Sequence, residues 1–344
     1  MQTTAASEPL LHIFIPTFRR PLKLDRLLAS LEQQGFGRGD QLRITVSENG
    51  GSTGADAIVA RWQGRLPISY VPQPAPLGCL LHLAALYAQC AGTYCWLIGD
   101  DDVITDAPWP AMRAKLAPGE LDALLLGHDF VAETGAIAHD PGTIHLERMP
   151  HKHRGDGLDL VCTSPFTAAF LSAAILRTTR VKANLAGCNF SGGYVPLELT
   201  LRVAAGGIGE YWAGNRVRGD LAVSWSTSAP RYHYYDLPEM LARLARELPP
   251  GPIEEAIVAI FRDGLVNWPP LVAYDRDFAL WLYRRHGSTI ERGVRLAGGK
   301  PALHELYRYA SISGHCKEIA AVGWIRVKEL IAGTVGRLGK PRSA

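Results

Sequence analysis

Short apolar runs alternate with stretches of helical period through the first hundred residues. Leu11-His12-Ile13-Phe14-Ile15 reads as a strand broken by Pro16, followed by the polar loop Thr17-Phe18-Arg19-Arg20-Pro21. Leu24, Leu27, Leu28 and Leu31 then recur at three- and four-residue spacing, which predicts a helix opened by Pro21. Leu42–Val46 is a second strand that ends in Ser47-Glu48-Asn49-Gly50-Gly51, and Ile68–Val71 is a third. Pro72-Gln73-Pro74-Ala75-Pro76 cannot be helical, whereas Gly78 to Ala91, rich in Leu and Ala, should be. Tyr94-Cys95-Trp96-Leu97-Ile98-Gly99 is apolar without helical period and reads as a buried strand. Alternation of strand and helix over 11–102 implies parallel strands joined by right-handed crossovers.

Beyond Asp102 the pattern is mixed. Leu121 to Phe130 reads as a strand, and Phe166 to Leu176 is an apolar segment open to either assignment. Leu197, Leu199, Leu201 and Val203 before Gly206-Gly207 predict a helix ended by glycine. From Pro238 onward the periodicity is helical, at Met240–Leu248, Ile253–Val266, Ala279–Arg285, Leu303–Ala310 and Ile319–Ile331. A boundary near Tyr232 to Pro238 divides the chain into residues 1–235 and a helical region, 236–344.

Composition narrows the class. Of 344 residues, 47% are hydrophobic and 20% charged, which suits a globular α/β protein with an appendage. A net charge of +3 gives no argument for a nucleic-acid partner. The six cysteines form no CxxC pair, as expected of buried thiols in a reducing compartment. Met1 to Pro9 lacks signal-peptide character, and no apolar stretch approaches the roughly 20 residues of a membrane span. A cytoplasmic protein is expected. Trp324, Ile325, Val327, Leu330 and Ile331, set among Lys317, Arg326, Lys328 and Arg337, would suit either a docked helix or peripheral contact with the inner membrane face.

The chemistry concentrates at strand ends. Asp100, Asp101 and Asp102 put three like charges after the Tyr94–Gly99 strand. Such a run is either a solvated acidic loop or a site where Mg²⁺ or Mn²⁺ relieves the repulsion and holds a diphosphate. Parallel strands present their ligands at their carboxyl ends. The loops after the first, second and fourth strands would therefore bring Thr17, Arg19 and Arg20, then Glu48 and Asn49, then the aspartates, to one edge. Glu48-Asn49-Gly50 taken alone is equally a turn, and Arg19-Arg20 a solvated loop. Three polar clusters at strand ends favour a nucleotide site.

These segments resemble the family 2 glycosyltransferases of GT-A fold. The resemblance rests on Ile15-Pro16-Thr17-Phe18-Arg19-Arg20-Pro21, on Val46-Ser47-Glu48-Asn49-Gly50-Gly51-Ser52-Thr53, on the Gly78-opened helix, and on Trp96-Leu97-Ile98-Gly99-Asp100-Asp101-Asp102 in the place of a DxD motif. It covers about the first third of the chain, and the last segment is most similar to the branch that builds O-antigen and other surface glycans. The resemblance implies a Rossmann-like, mainly parallel sheet flanked by helices, with the helical C-terminal region as an extension. It implies a nucleotide site made of Pro16, Thr17, Arg19, Glu48, Asn49, Gly78, Asp100 and Asp101. Asp102, with Asp100, would bind Mg²⁺ or Mn²⁺. The implied reaction moves a sugar, with inversion, from a nucleotide-diphosphate sugar donor to a glycan or lipid-linked glycan acceptor.

The sequence departs from the family at the general base. The family's Glu-Asp pair is replaced by Val195-Pro196, leaving Glu198 and Asp129 as candidates. An i,i+4 pair with Arg202 is the competing role for Glu198, and burial at a strand end or turn that for Asp129. The late histidine of the family's metal site is missing from Val217-Arg218-Gly219-Asp220, which reads as a bare turn; Asp220 or His233 are the substitutes available. His151-Lys152-His153-Arg154 lacks the company of a metal site and reads as an acceptor-side or solvated loop. A nucleotidyltransferase is the alternative enzyme, disfavoured because the loop after the first strand has no glycine. A non-catalytic sugar-nucleotide-binding subunit is the alternative without turnover, and no GxGxxG supports a dehydrogenase.

Overall fold

A computed structural model describes residues 8–37, 41–51, 53–131, 135–139, 146–147, 149–190, 192, 194–220, 236–253 and 255–256. The chain forms two compact units, residues 1–263 and 264–344. The second lies outside the described residues, as do His233, the helices expected beyond Val266 and the basic C-terminal segment.

In chain order the first unit runs β1 (Leu11–Thr17), α1 (Pro21–Gln33), β2 (Leu42–Glu48), α2 (Ala55–Trp62), β3 (Ile68–Pro72), α3 (Cys79–Gln89), β4 (Tyr94–Leu97), β5 (Val103–Ile104) and α4 (Trp109–Leu116). It continues with β6 (Ala123–Val131), β7 (Ile137–His139), β8 (Arg154–Asp156), α5 (Gly157–Thr163), α6 (Pro165–Ala169), β9 (Ala174–Arg177), α7 (Thr178–Leu185), α8 (Val195–Ala204), β10 (Ile208–Asp220) and α9 (Leu237–Leu244). The sheet order is β3-β2-β1-β4-β9-β6-β10-β5, with β7 beside β6 and β8 beside β10. β3, β2, β1 and β4 are parallel, as are β6 and β10; β9 runs antiparallel to both β4 and β6. This is the mixed, mainly parallel sheet expected.

Both faces of the sheet are covered, which is why its strands read as continuous apolar runs. Ile13 and Ile15 of β1 pack with Leu24, Leu27, Leu28 and Leu31 of α1, and with Val59, Trp62, Trp96 and Met112. Phe14 points the other way, into a core shared with Leu83 and Leu86 of α3, Leu125 of β6, and Leu197 and Leu201 of α8. Leu237, Leu241 and Leu244 of α9 belong to that second core. The compact unit therefore runs past the boundary drawn at 235/236.

Several local expectations change. Pro16 does not break β1, and it pairs with Ser47 of β2. Phe14 O accepts from Ile98 N–H at 2.9 Å, so even-numbered β1 residues turn their backbone polar groups toward β4. Pairing with β4 stops at Phe14, so the missing N–H of Pro16 lies beyond the partner strand and costs no ladder bond. Val217–Asp220 is no turn: it pairs in parallel with His128–Val131 of β6. Phe166–Leu176 holds both assignments, a helical turn at Pro165–Ala169 and then strand β9. His151–Arg154 is not a loose loop. His153 Nε2 bonds Leu146 O at 2.9 Å and its ring stacks edge-on against Tyr211, while β8 pairs with β10. Gly206, at φ +66°, ends α8 in the left-handed conformation expected of a helix stop.

The sheet also contains a buried histidine. His12 Nε2 bonds Thr45 Oγ1 at 2.9 Å, and its Nδ1 accepts from Ala91 N–H at 3.3 Å. Burial, helped by Arg43, lowers its pKa from 6.5 to about 4. An unfolded chain therefore takes up this proton at higher pH than the folded one does, so stability is fully present above 6.5 and is lost as pH falls toward 4. Denaturant titrations at pH 7 and pH 5 should show His12→Asn losing roughly 1–2 kcal/mol less than the parent over that interval, after allowance for solvent screening. Parallel curves for the two proteins would contradict this.

Candidate functional site

The carboxyl ends of β1, β2 and β4 lie side by side and deliver the three polar clusters to one edge. At the end of β4 the chain turns back on itself through Gly99, with Asp102 N–H donating to Gly99 O at 3.2 Å. A Cβ on Gly99 would sit 2.8 Å from Asp102 Oδ2 and 3.2 Å from Asp101 Oδ1, so glycine is what lets the carboxylates fold over the backbone.

Asp100 and Asp102 are buried, and their environment is organised from distant elements. Thr17 Oγ1 donates to Asp100 Oδ2 at 2.7 Å. Arg20 Nη1 donates to Asp100 Oδ1 at 3.2 Å and to Asp101 Oδ2 at 2.7 Å. Lys23 Nζ lies 3.8 Å from Asp101 and 3.0 Å from Asp220, and Arg26 donates to the Asp101 carbonyl. Ser172, in the turn before β9, donates its hydroxyl to Asp102 Oδ2 and accepts from Gly99 N–H at 2.8 Å. Burial pushes the Asp100 carboxyl above the usual carboxylate range, against Thr17 and Arg20, which pull it down. Burial raises Asp102 much further, Asp101 and Asp100 add to it, and the Ser172 hydroxyl opposes it. Burial also works against the charge on Arg20, but Asp100 and Asp101 outweigh it and hold the guanidinium protonated.

A second cluster lies at the end of β2. Glu48 is fully buried, with Tyr70 Oη donating to its Oε2 at 2.6 Å and Thr53 N–H to its Oε1 at 2.9 Å. Asn49 N–H donates to Thr17 O at 2.9 Å, and Asn49 Oδ1 accepts from Leu77 N–H at 2.8 Å. Gly50 takes φ +100°, and a Cβ there would lie 2.5 Å from Pro76 Cγ. The Asn-Gly turn is thus real, and it clamps the 73–78 segment against the end of β2. Gly78, at φ +77° and ψ 159°, then starts α3.

The expected residues do not all meet. Pro16, Thr17, Glu48, Asn49, Gly78 and Asp100–Asp102 all sit at or beside these strand ends. Arg19 is exposed at φ +56°, its guanidinium 4.9 Å from the Phe18 ring centre; Arg20 is the arginine on the aspartates. Which of two adjacent arginines turns inward depends on that loop backbone, which the sequence does not display. Glu198 forms the i,i+4 pair weighed against its catalytic role. Arg202 Nε donates to its Oε1 at 3.0 Å, while Arg243 Nη2 at 2.6 Å and Asn189 N–H at 3.2 Å donate to its Oε2. Both oxygens of this carboxylate are occupied, and the two arginines make it a tie between α8 and α9. Asp129, near the end of β6, accepts from Asn215 Nδ2 and pairs in register with Arg218. Tyr70 and Ser172 join the clusters without any signal in the sequence, since each is far from the motif it serves; Thr53 closes the Val46–Thr53 segment, which gave no sign of its bond to Glu48.

The residues fit a divalent cation through Asp102. Asp102 Oδ1 accepts no hydrogen bond from the described residues, whereas both oxygens of Asp100 are taken by Thr17 and Arg20. Among the described residues no three His, Cys, Asp or Glu side chains form a ready-made cage. That suits Mg²⁺ or Mn²⁺, which bind through one or two carboxylates completed by water and substrate phosphates.

Residues 12–174 match the family described as Glycosyl transferase family 2. A 97-residue stretch, 28% of this chain, is 30% identical to the abequosyltransferase RfbV of Salmonella typhimurium and spans 29% of that protein's length. The fold is similar to S. aureus TarS 1–349 in complex with UDP-GlcNAc, with TM-score 0.63 and 15% identity over 91% of this chain and 92% of that one. It is also similar to the mannosyltransferase PcManGT of Pyrobaculum calidifontis in complex with GDP-Man and Mn²⁺, with TM-score 0.54 and 17% identity over 92% and 86%. At such identities the likeness is one of fold.

Because the buried Glu198 is shared by Arg202 and Arg243, which would otherwise keep only the exposed Glu247 as a partner, Glu198→Ala should destabilise the protein by up to about 3 kcal/mol. Glu198→Ala combined with Arg243→Met should recover part of that loss. Equal melting temperatures for parent and Glu198→Ala would contradict the assignment.

Proposed function

We propose that the protein, whose residues 12–174 match the family described as Glycosyl transferase family 2, transfers a sugar, with inversion, from a nucleotide-diphosphate sugar to a hydroxyl of a surface-glycan acceptor. The observation that carries this reading is the convergence of Glu48 and Asn49, Thr17 and Arg20, and Asp100–Asp102 at one sheet edge within that stretch.

In this reading the loops clamped by Asn49 and Gly50 receive the nucleoside, with Glu48 fixing their geometry from beneath through Tyr70 and Thr53. Thr17 and Arg20 hold Asp100 and Asp101 in place beside the diphosphate. Asp102 would hold Mg²⁺ or Mn²⁺, and a cation bound there would supply charge stabilisation to the leaving nucleoside diphosphate. The acceptor oxygen bonds to the anomeric carbon as the bond from that carbon to the diphosphate oxygen breaks, and the hydroxyl proton passes to a carboxylate. Of the two candidates Asp129 is the one at the sheet edge, its neighbour Arg218 pairing with Val103, next to Asp102. The likeness to an abequosyltransferase supports a surface-glycan acceptor, free or lipid-linked. Among the described residues no helix is long and apolar enough to cross a membrane, and we place the enzyme on the cytoplasmic side.

Thermal shift with UDP, GDP, dTDP and CDP, each with and without Mn²⁺, tests the site. One nucleotide should stabilise the protein only with Mn²⁺, by about 2.7 kcal/mol at a hundredfold excess over its dissociation constant. Asp102→Asn should abolish the effect; an equal shift in that variant would show that Asp102 is not the metal carboxylate. Asp129→Asn should leave the shift intact and lower transfer about 10²- to 10⁴-fold. Unchanged transfer would remove Asp129 as the base.

A further inference from the structure

The cations around the aspartates are nearly all committed. Arg20 and Lys23 pair with Asp100, Asp101 and Asp220, and Arg26 donates to a backbone carbonyl. Arg218 differs. It lies in β10, in antiparallel register with Val103, the residue after Asp102, and in parallel register with Asp129 on its other side. Val217 and Ile104, one position along, pack into the core on the α1 face, so Arg218, Val103 and Asp129 belong to the opposite face. Among the described residues the Arg218 side chain makes no hydrogen bond or ion pair, and its Nε is buried without a partner. Asp129, the nearest carboxylate in the register, bonds Asn215 instead.

A partly buried guanidinium with an unsatisfied N–H is costly to maintain unless something anionic completes it. Its planar fork of donors matches the oxygens of a phosphate in bidentate fashion. We infer that Arg218 is an anion-binding residue of the site that takes phosphate oxygens, at a position between Asp102 and Asp129. It rests on the proposed function only for the source of those oxygens, which is either the diphosphate of the nucleotide donor or a diphosphate on a lipid-linked acceptor. Arg218 is then a binding residue whose charge the mechanism above does not use.

Calorimetric titration of the full chain tests this with three kinds of probe: the four nucleoside diphosphates, geranyl diphosphate and inorganic pyrophosphate. Arg218→Met should weaken at least one by roughly 10- to 100-fold, and Arg218→Lys should recover part of the loss. Loss confined to a nucleoside diphosphate assigns the donor, and loss confined to geranyl diphosphate assigns the acceptor. If Arg218→Met fails to fold, Arg218→Gln takes its place, with a melting curve as control. Binding of every probe equal to the parent, or no binding of any probe to the parent, overturns the inference. Arg218-dependent pyrophosphate binding without any nucleotide binding would keep the anion site and sink the glycosyltransferase reading. Nucleotide binding that needs Asp102 and Mn²⁺ but ignores Arg218, with the other probes also unaffected, would do the reverse.

Discussion

Three neighbouring carboxylates, two of them buried, sit at the end of a central strand, and the arrangement around them answers to that one electrostatic constraint. Unrelieved, such a cluster would be driven to protonate or to open into water. The chain meets this from separate elements: Thr17 ends β1, Arg20 and Lys23 open α1, and Ser172 precedes β9. Pairing of β1 with β4 and of β9 with β4 brings those groups into reach. The sheet order and the charge balance are therefore one requirement. Two carboxylates find protein cations, and the third keeps an oxygen available for a metal ion.

The end of β2, which we propose receives the nucleoside, has the opposite logic. There the carboxylate, Glu48, is saturated by Tyr70 and Thr53 and acts as a structural anchor for the loops on either side. Gly50 against Pro76 and Asn49 against Leu77 N–H turn two loops into one wall. Under the proposed function, a rigid wall beside a carboxylate with a free oxygen divides the work of holding a flat base and a charged diphosphate.

Much of this was legible in the sequence because the strands are short, apolar and bounded by glycine, proline or charge. The four parallel strands, α1 and α3 follow from that punctuation, as do Thr17, Glu48, Asn49 and the aspartates at strand ends, whereas α2 was not read from it. What was not legible depended on through-space partners. The inward arginine is Arg20 and not Arg19, because the backbone at Arg19 is left-handed. Pro16 stays in its strand because β4 ends before it. Glu198 meets Arg243 from a helix 45 residues away in sequence, and Arg218 reaches the site only because β10 runs between β6 and β5. Periodicity carries no information about such meetings.

The central claim is that these aspartates support transfer from a nucleotide sugar. The most direct measurement is release of nucleoside diphosphate from UDP-, GDP-, dTDP- and CDP-sugars, followed by mass spectrometry, for the parent and Asp102→Asn with and without Mn²⁺. Release is expected from one donor class, dependent on Mn²⁺ and at least about 100-fold slower in the variant. Release that is equal in the two proteins, or absent from every donor although a nucleoside diphosphate binds, would contradict it.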